Sequence, residues 1–293
     1  MSFIPEPTFD GSYTFFSPDF EETFHSQQGA KQEAEEKFVI PAALEEKAQG
    51  QSSIKLLDIC YGLGYNTASA IEAIWKSNPH CHIELIALEL DYSVPEATID
   101  HKLLDAWSAP IPNLLTTLAH QKSVHEDYFQ GELLIGDARQ TIQQVIARNF
   151  LADAIFLDPF SPPHCPQLWT VEFIALVAQC LHENGRLTTY SCAAAMRTAL
   201  SLAGLAYSST MGMNRRSTVA SWKQADLAPL SEQDLEHQKT RAAIPYRDLT
   251  LEDSVVTILK RRQKEQQDCT LETTSQWRKR WEPKILDDRS NKF

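Results

Sequence analysis

From residue 54 to residue 222, short apolar runs alternate with stretches whose apolar positions recur at helical spacing. This is the βαβ rhythm that predicts a parallel sheet flanked by helices. Five runs read as strands: Ile54–Cys60, His82–Leu90, Glu132–Ile135, Ala154–Asp158 and Arg186–Tyr190. Between them Asn66–Trp75 and Trp169–Leu181 show helical periodicity, and Asp137–Arg148 forms another helix after the third strand. Two weaker runs, Leu205–Ser209 and Ser217–Trp222, predict a closing hairpin. The expected fold is α/β and Rossmann-like, with a seven-stranded, mostly parallel sheet.

The flanks differ from this centre. Residues 1–50 are aromatic and polar at first, then carry alanine, glutamate and lysine at helical spacing over Ala30–Leu44. They are expected to form an extension that packs over the mouth of the sheet. Residues 51–223 form the domain proper, and 224–293 a charged extension with a turn at Ile244–Asp248 and a helix over Leu251–Gln267.

Composition narrows the class. With 293 residues and 43% apolar content the chain can bury a sizeable core. It has no apolar run long enough to span a bilayer and no basic, apolar opening of the secretory type, so the expected location is the cytoplasm. Six cysteines, none in a Cys-x-x-Cys pair, read as free thiols of a reducing compartment, and no metal site is expected. The net charge of −12 opposes an anionic partner on average. Positive charge gathers late, however, in Lys260–Lys264 and Arg278–Arg280, with Arg215-Arg216 between two strand-like runs.

The chemistry concentrates at the strand ends. Asp58-Ile59-Cys60-Tyr61-Gly62-Leu63-Gly64-Tyr65-Asn66 puts two glycines where a buried strand turns into a helix, so the backbone can approach a ligand and the helix start offers free amides. A dinucleotide fold wants a third glycine at position 67, which here is Thr67. S-adenosylmethionine needs less there, because it carries an ammonium and a carboxylate in place of a pyrophosphate. Asp58 is expected to receive the ammonium, with Tyr61, Gly62, Gly64 and Asn66 around it. Glu89, 25 residues past Gly64, is expected to accept from the ribose hydroxyls, with Asp91 as the alternative. Asp137 and the amide of Ala138, after the third strand, suit the adenine edge, although Gly-Asp also begins many helices as a cap.

The fourth strand ends in Asp158-Pro159-Phe160-Ser161-Pro162 and continues through Pro166 to Trp169. A carboxylate followed by a proline-stiffened aromatic turn suits methylation of nitrogen, where the lone pair must be freed of a proton and aimed. Asp158 and Phe160 are the expected catalytic residues; His164 reads as a loop histidine.

Together, Tyr61-Gly62-Leu63-Gly64-Tyr65-Asn66 and the Asp158–Trp169 spacing of prolines and tryptophan resemble the MnmC family, whose methyltransferase domain finishes 5-methylaminomethyl(-2-thio)uridine at the wobble position of tRNA. The resemblance covers roughly residues 10 to 222, with Pro159 and Ser161 standing where the family has glycine and alanine. It implies a class I S-adenosylmethionine-dependent methyltransferase without the FAD-dependent half of two-domain members, which needs its aminomethyluridine made by a separate enzyme. It also implies tRNA as partner; with it, Tyr13, His25 and Trp169 are expected as walls of the acceptor site, and Arg215, Arg216 and the late basic cluster on tRNA phosphates. Asp10–Thr14 and Glu22–Ala30 are equally similar to spermidine synthases, so aminopropyl transfer stays open, as do small-amine methylation and a binding module that keeps the fold.

Overall fold

The computed structural model of the chain describes residues 3–211 and 216–281. Two short ribbons open it, β1 (Glu6–Pro7) with β2 (Tyr13–Thr14) and β3 (Phe16–Ser17) with β4 (Glu22–Thr23). The helix expected over Ala30–Leu44 is broken: α1 (Ala30–Ala34) passes into a π-helical turn, Glu35–Val39, and Ala43 at φ 57° resets the chain before α2 (Leu44–Gly50). Isolated π-turns are rare and cluster at functional sites.

The sheet has eight strands rather than seven. Its members in chain order are β5 (Ser53–Ile59), β6 (His82–Glu89), β7 (Ser123–Glu126), β8 (Phe129–Ile135), β9 (Ala152–Leu157), β10 (Leu181–Thr189), β11 (Ala206–Met211) and β12 (Arg216–Ser221). Their order across the sheet is β11-β12-β10-β9-β5-β6-β8-β7, with β7 and β12 antiparallel to their neighbours. The added strand, β7, is the first arm of a hairpin with β8; its Ser-Val-His-Glu buries only Val124, too little to stand out as an apolar run. The hairpin at the other edge forms as expected.

The strands are apolar on both faces because helices cover both. Ile54 and Leu56 of β5 face α3 (Tyr65–Ser77) and α5 (Ile111–Gln121), in one core with the N-terminal segment. Leu57 and Ile59 face α6 (Ala138–Ala147) and α7 (Val171–Gln179), joined by α8 (Ala194–Leu202). A smaller helix, α4 (Ser93–Asp100), follows β6. The C-terminal segment contributes α9 (Glu232–His237) and α10 (Val255–Asp268), and Ile258 of α10 is wholly buried in the second core. β5 lies between β6 and β9, so the chain turns from one half of the sheet to the other there, and the crevice outside the strand ends opens at that point. Among the described residues no helix is long and apolar enough to cross a membrane.

Candidate active site

A cavity of about 840 Å³ sits at this crevice, a size suited to a cofactor-sized ligand. Its floor is the turn after β5. Cys60 and Gly62 adopt φ of 67° and 54°, and Gly62 donates its amide to Glu89 Oε2 at 2.8 Å. Asp91 N holds the other oxygen, Oε1, at 2.9 Å, so Glu89 is fixed at the end of β6. Burial raises the Glu89 carboxyl, and the amides of Asp91, Gly62 and Leu90 pull it back only in part.

Gly62, Tyr61, Glu89, Asp137 and Ala138 all line the cavity, whereas Asp58, Gly64 and Asn66 stand behind its wall. Asp58 is wholly buried; Oδ2 accepts from Thr67 Oγ1 at 2.7 Å, Oδ1 has no partner, and burial pushes its carboxyl up to about 7. Asn66 donates to Asp158 Oδ2 at 2.9 Å. Gly64 packs under the ring of Tyr61. Asp137 caps α6 through Arg139 N at 2.9 Å and is also gripped by the Arg139 guanidinium, which reaches the buried Asp248 at 2.9 Å. Asp137 is held below the ordinary carboxylate range because these bonds outweigh its partial burial.

Asp158 projects from the end of β9 into the same cavity. Its amide donates to Ile59 O at 3.1 Å, tying it to β5. Burial, then the nearby Glu33 charge, raises its carboxyl well above the usual range, against the Asn66 hydrogen bond. Among the described residues no cation forms an ion pair with it. The turn that follows is pinned group by group: Tyr190 Oη donates to Pro159 O at 2.9 Å, Trp169 Nε1 to Phe160 O at 2.9 Å, and Ser161 N to Glu22 at 2.9 Å. Phe160 stacks on Phe20 at 4.4 Å and meets Phe24 edge-on at 5.0 Å.

The N-terminal segment therefore supplies one wall, through Phe16, Phe20, Glu22, Phe24, His25, Glu33 and Lys37. His25 stacks on Tyr65 at 5.0 Å, and burial lowers its pKa to about 4, so it faces the cavity neutral. Two expected walls are not walls. Trp169 is 0% exposed and acts as the prop beneath Phe160, and Tyr13 points to solvent outside the cavity. Arg216 lines the mouth, while Arg215 lies outside the described residues. Phe20, Phe24 and the Glu33–Lys37 ion pair carry no sequence signal, because the two rings meet Phe160 across more than a hundred positions and the ion pair depends on the π-turn; the one local hint is the density of phenylalanines in the opening. Trp169→Phe, which removes one hydrogen bond under Phe160, is expected to destabilise the protein by about 1 kcal/mol; thermal melting will check this.

The late arginines also differ from expectation. Arg262 donates to Ile244 O at 2.7 Å and Ala242 O at 3.1 Å and lies over Tyr246 at 4.4 Å. Arg261 binds Asp253 at 2.8 Å, and Arg280 binds Glu236 and Glu272 at 2.9 and 2.6 Å. These contacts staple the C-terminal segment to itself; Lys260, Lys264, Arg278 and Lys279 are exposed, and Arg280, also exposed, is engaged by its two glutamates. All six cysteines are free, and no cluster of metal-binding side chains occurs among the described residues.

Comparison with known proteins places this geometry. The profile of a family described as S-adenosyl-L-methionine-dependent methyltransferase matches residues 99–224. An uncharacterized protein of Methanocaldococcus jannaschii is 30% identical over 254 residues, covering 83% of this chain and 67% of that protein. The tRNA 5-methylaminomethyl-2-thiouridine biosynthesis bifunctional protein MnmC of Acidovorax sp. (strain JS42) is 31% identical over 201 residues; the match takes in 64% of this chain but 30% of that protein. The crystal structure of MnmC2 from Aquifex aeolicus superposes with a TM-score of 0.80 at 31% identity, over 91% of this chain and 86% of that one.

Proposed function

Because the chain belongs to the family of S-adenosylmethionine-dependent methyltransferases that includes MnmC, we propose that it N-methylates the aminomethyl group of 5-aminomethyl(-2-thio)uridine at the tRNA wobble position. When bound, S-adenosylmethionine supplies an electrophilic methyl group. The wall residues suit it: Glu89 would take the ribose hydroxyls, Asp137 and the Ala138 amide the adenine edge, and Tyr61 and Gly62 the floor. Asp58, Gly64 and Asn66 serve from behind, with the unpartnered Asp58 Oδ1 as the remaining acceptor for an ammonium.

The observation that carries the reading is the Asp158 carboxyl, which opens on the cavity and is held by an amide rather than a cation beside a ring of phenylalanines. An amine enters such a site as ammonium and must give up a proton before its lone pair can attack. Asp158 is built to take that proton, since burial and Glu33 both raise its affinity for one. Phe160, immobilised through its carbonyl, orients the amine.

A second reading, methylation of a small free amine, draws support from the net charge of −12 and from the engagement of Arg261, Arg262 and Arg280 within the C-terminal segment. Aminopropyl transfer is disfavoured because Asp158 is followed by Pro-Phe-Ser-Pro and not by a further acidic residue. Transfer of labelled methyl to tRNA carrying 5-aminomethyluridine, with putrescine and other free amines as parallel acceptors, tests the proposal. Label in the tRNA is the expected result; label only in small amines overturns the substrate and leaves the methyltransferase standing.

A further inference from the structure

Two guanidinium groups share one carboxylate beside the cavity. Arg197 of α8, 1% exposed, donates Nη1 to Asp234 Oδ1 at 2.9 Å, Nη2 to Ser209 Oγ at 2.6 Å and Nε to Thr218 Oγ1 at 3.2 Å. Arg216, the first residue of β12, donates Nη1 to the same Asp234 Oδ1 at 2.9 Å. The other oxygen of Asp234 accepts from Ser209 Oγ at 3.0 Å and Ser231 Oγ at 2.8 Å. Burial would raise this carboxyl, yet Ser231 and the two guanidiniums hold it below its ordinary range, so it stays ionised at neutral pH.

One negative charge against two positive ones leaves a surplus of one positive charge. Arg197 is enclosed, its guanidinium lying 5.6 Å over the Tyr207 ring, and has no route to solvent. The surplus is presented by Arg216, whose side chain is 42% exposed and lines the cavity mouth. Among the described residues, Asp234 is its sole hydrogen-bond partner, so most of its fork of donors faces outward. Of the lysines and arginines among the described lining residues, Lys37 is neutralised by its ion pair with Glu33, so Arg216 at the rim is the one that offers surplus positive charge to an anion.

We propose that Arg216, held by the buried Arg197–Asp234 pair, is a phosphate-binding site at the cavity mouth, and that Asp234 is the positioning residue through which the C-terminal segment completes it. The ligand is a phosphate next to the reacting nucleoside, as a phosphodiester of RNA or the phosphate of a free nucleotide. This rests on the nucleoside reading above. A guanidinium pre-oriented by a carboxylate keeps a fixed fork toward phosphate and loses less freedom on binding.

The test compares wild type, Arg216→Gln, Arg216→Lys and Asp234→Asn with three acceptors: tRNA bearing 5-aminomethyluridine, the free nucleoside 5-aminomethyluridine, and its 5′-monophosphate. Arg216→Gln is expected to raise the KM for tRNA about tenfold, leave kcat and the nucleoside KM unchanged, and shrink the salt slope of tRNA affinity by about one phosphate. Arg216→Lys keeps the slope but not the full affinity, and Asp234→Asn reproduces the KM effect at unchanged kcat. A matching rise for the monophosphate assigns a phosphate within one nucleotide; a rise for tRNA alone assigns a neighbouring phosphodiester. Equal losses on nucleoside and tRNA, or weakened S-adenosylmethionine binding by Arg216→Gln, overturn the proposal, the latter by assigning Arg216 to the cofactor carboxylate. If wild type methylates none of the three but does methylate small amines, the nucleoside reading has failed. The anion site then stands or falls on whether inorganic pyrophosphate inhibits wild type and not Arg216→Gln.

Discussion

Asp158→Asn is expected to lower kcat for methyl transfer by about 10²–10⁴-fold, the range for loss of a positioned proton acceptor, while S-adenosylmethionine affinity changes by less than about twofold. The amide is nearly isosteric and keeps an acceptor for Asn66 Nδ2, so the turn through Phe160 is undisturbed. The wild-type rate should rise with pH along a limb set above the ordinary carboxylate range, because the free carboxylate is the active form and burial and Glu33 raise its pKa. A raised native pKa has a second consequence with a definite sign. Folding favours the protonated acid, so its stabilising contribution is present at low pH and is lost as pH rises through the raised value. The neutral amide does not suffer that loss, and Asp158→Asn should melt at a higher temperature than wild type at pH 8 but not at pH 4. A variant that is inactive and less stable at pH 8 would place Asp158 in the scaffold instead.

The strands that carry the site were legible because burial on both faces makes their apolar runs nearly continuous and puts the acidic residues at their carboxyl ends. Glu89, Asp137 and Asp158 could be located from this rule without coordinates. Whether each reaches the cavity could not. Asp58 and Glu89 look alike in sequence, yet Asp58 turns back to Thr67 and vanishes from the wall, while Glu89 is held forward by the amides of Gly62 and Asp91. Trp169 reads as a site aromatic in the proline-rich turn, but its indole N–H finds the carbonyl of Phe160 and its ring fills the core. In both cases a side-chain hydrogen bond to a partner nine residues away decided the direction, and such a partner carries no periodic signal.

The same limit governed charge. A run such as Lys260–Lys264 has one appearance in sequence and two fates in the fold, because a helix turns successive residues to different sides. Arg261 and Arg262 meet the carbonyls of the segment before the helix, and Lys260 and Lys264 remain in water. The acceptor's charge is therefore met, in the proposed function, by one oriented arginine at the mouth and a thin set of exposed lysines and arginines rather than by a basic face. Binding should accordingly be weakly salt-dependent for a tRNA enzyme. A slope of log affinity against log salt corresponding to more than about four phosphates would contradict this distribution.

Gly64→Ala is expected to cost more than its size suggests. Gly64 caps α3 at φ 78°, ψ 13°, the left-handed region, which costs an alanine about 1–2 kcal/mol. Its new Cβ would also lie 2.4 Å from Tyr61 Oη and 2.6 Å from Cζ. Tyr61 is 4% exposed and itself lines the cavity, so the ring yields only by moving the cavity floor. Strain and overpacking together should destabilise the protein by about 2–5 kcal/mol and weaken S-adenosylmethionine binding at least tenfold. Gly62→Ala is the control that separates the two causes. Gly62 has a comparable φ of 54°, but its added Cβ meets the edge of the Phe24 ring at 3.3 Å, a contact that a small shift of the ring relieves. It should show the backbone strain with little of the clash. Thermal melting and cofactor calorimetry on both variants will resolve the difference: a Gly64→Ala loss well beyond that of Gly62→Ala identifies the glycine as the space Tyr61 occupies. Equal losses would mean that left-handed geometry alone selects glycine at both positions.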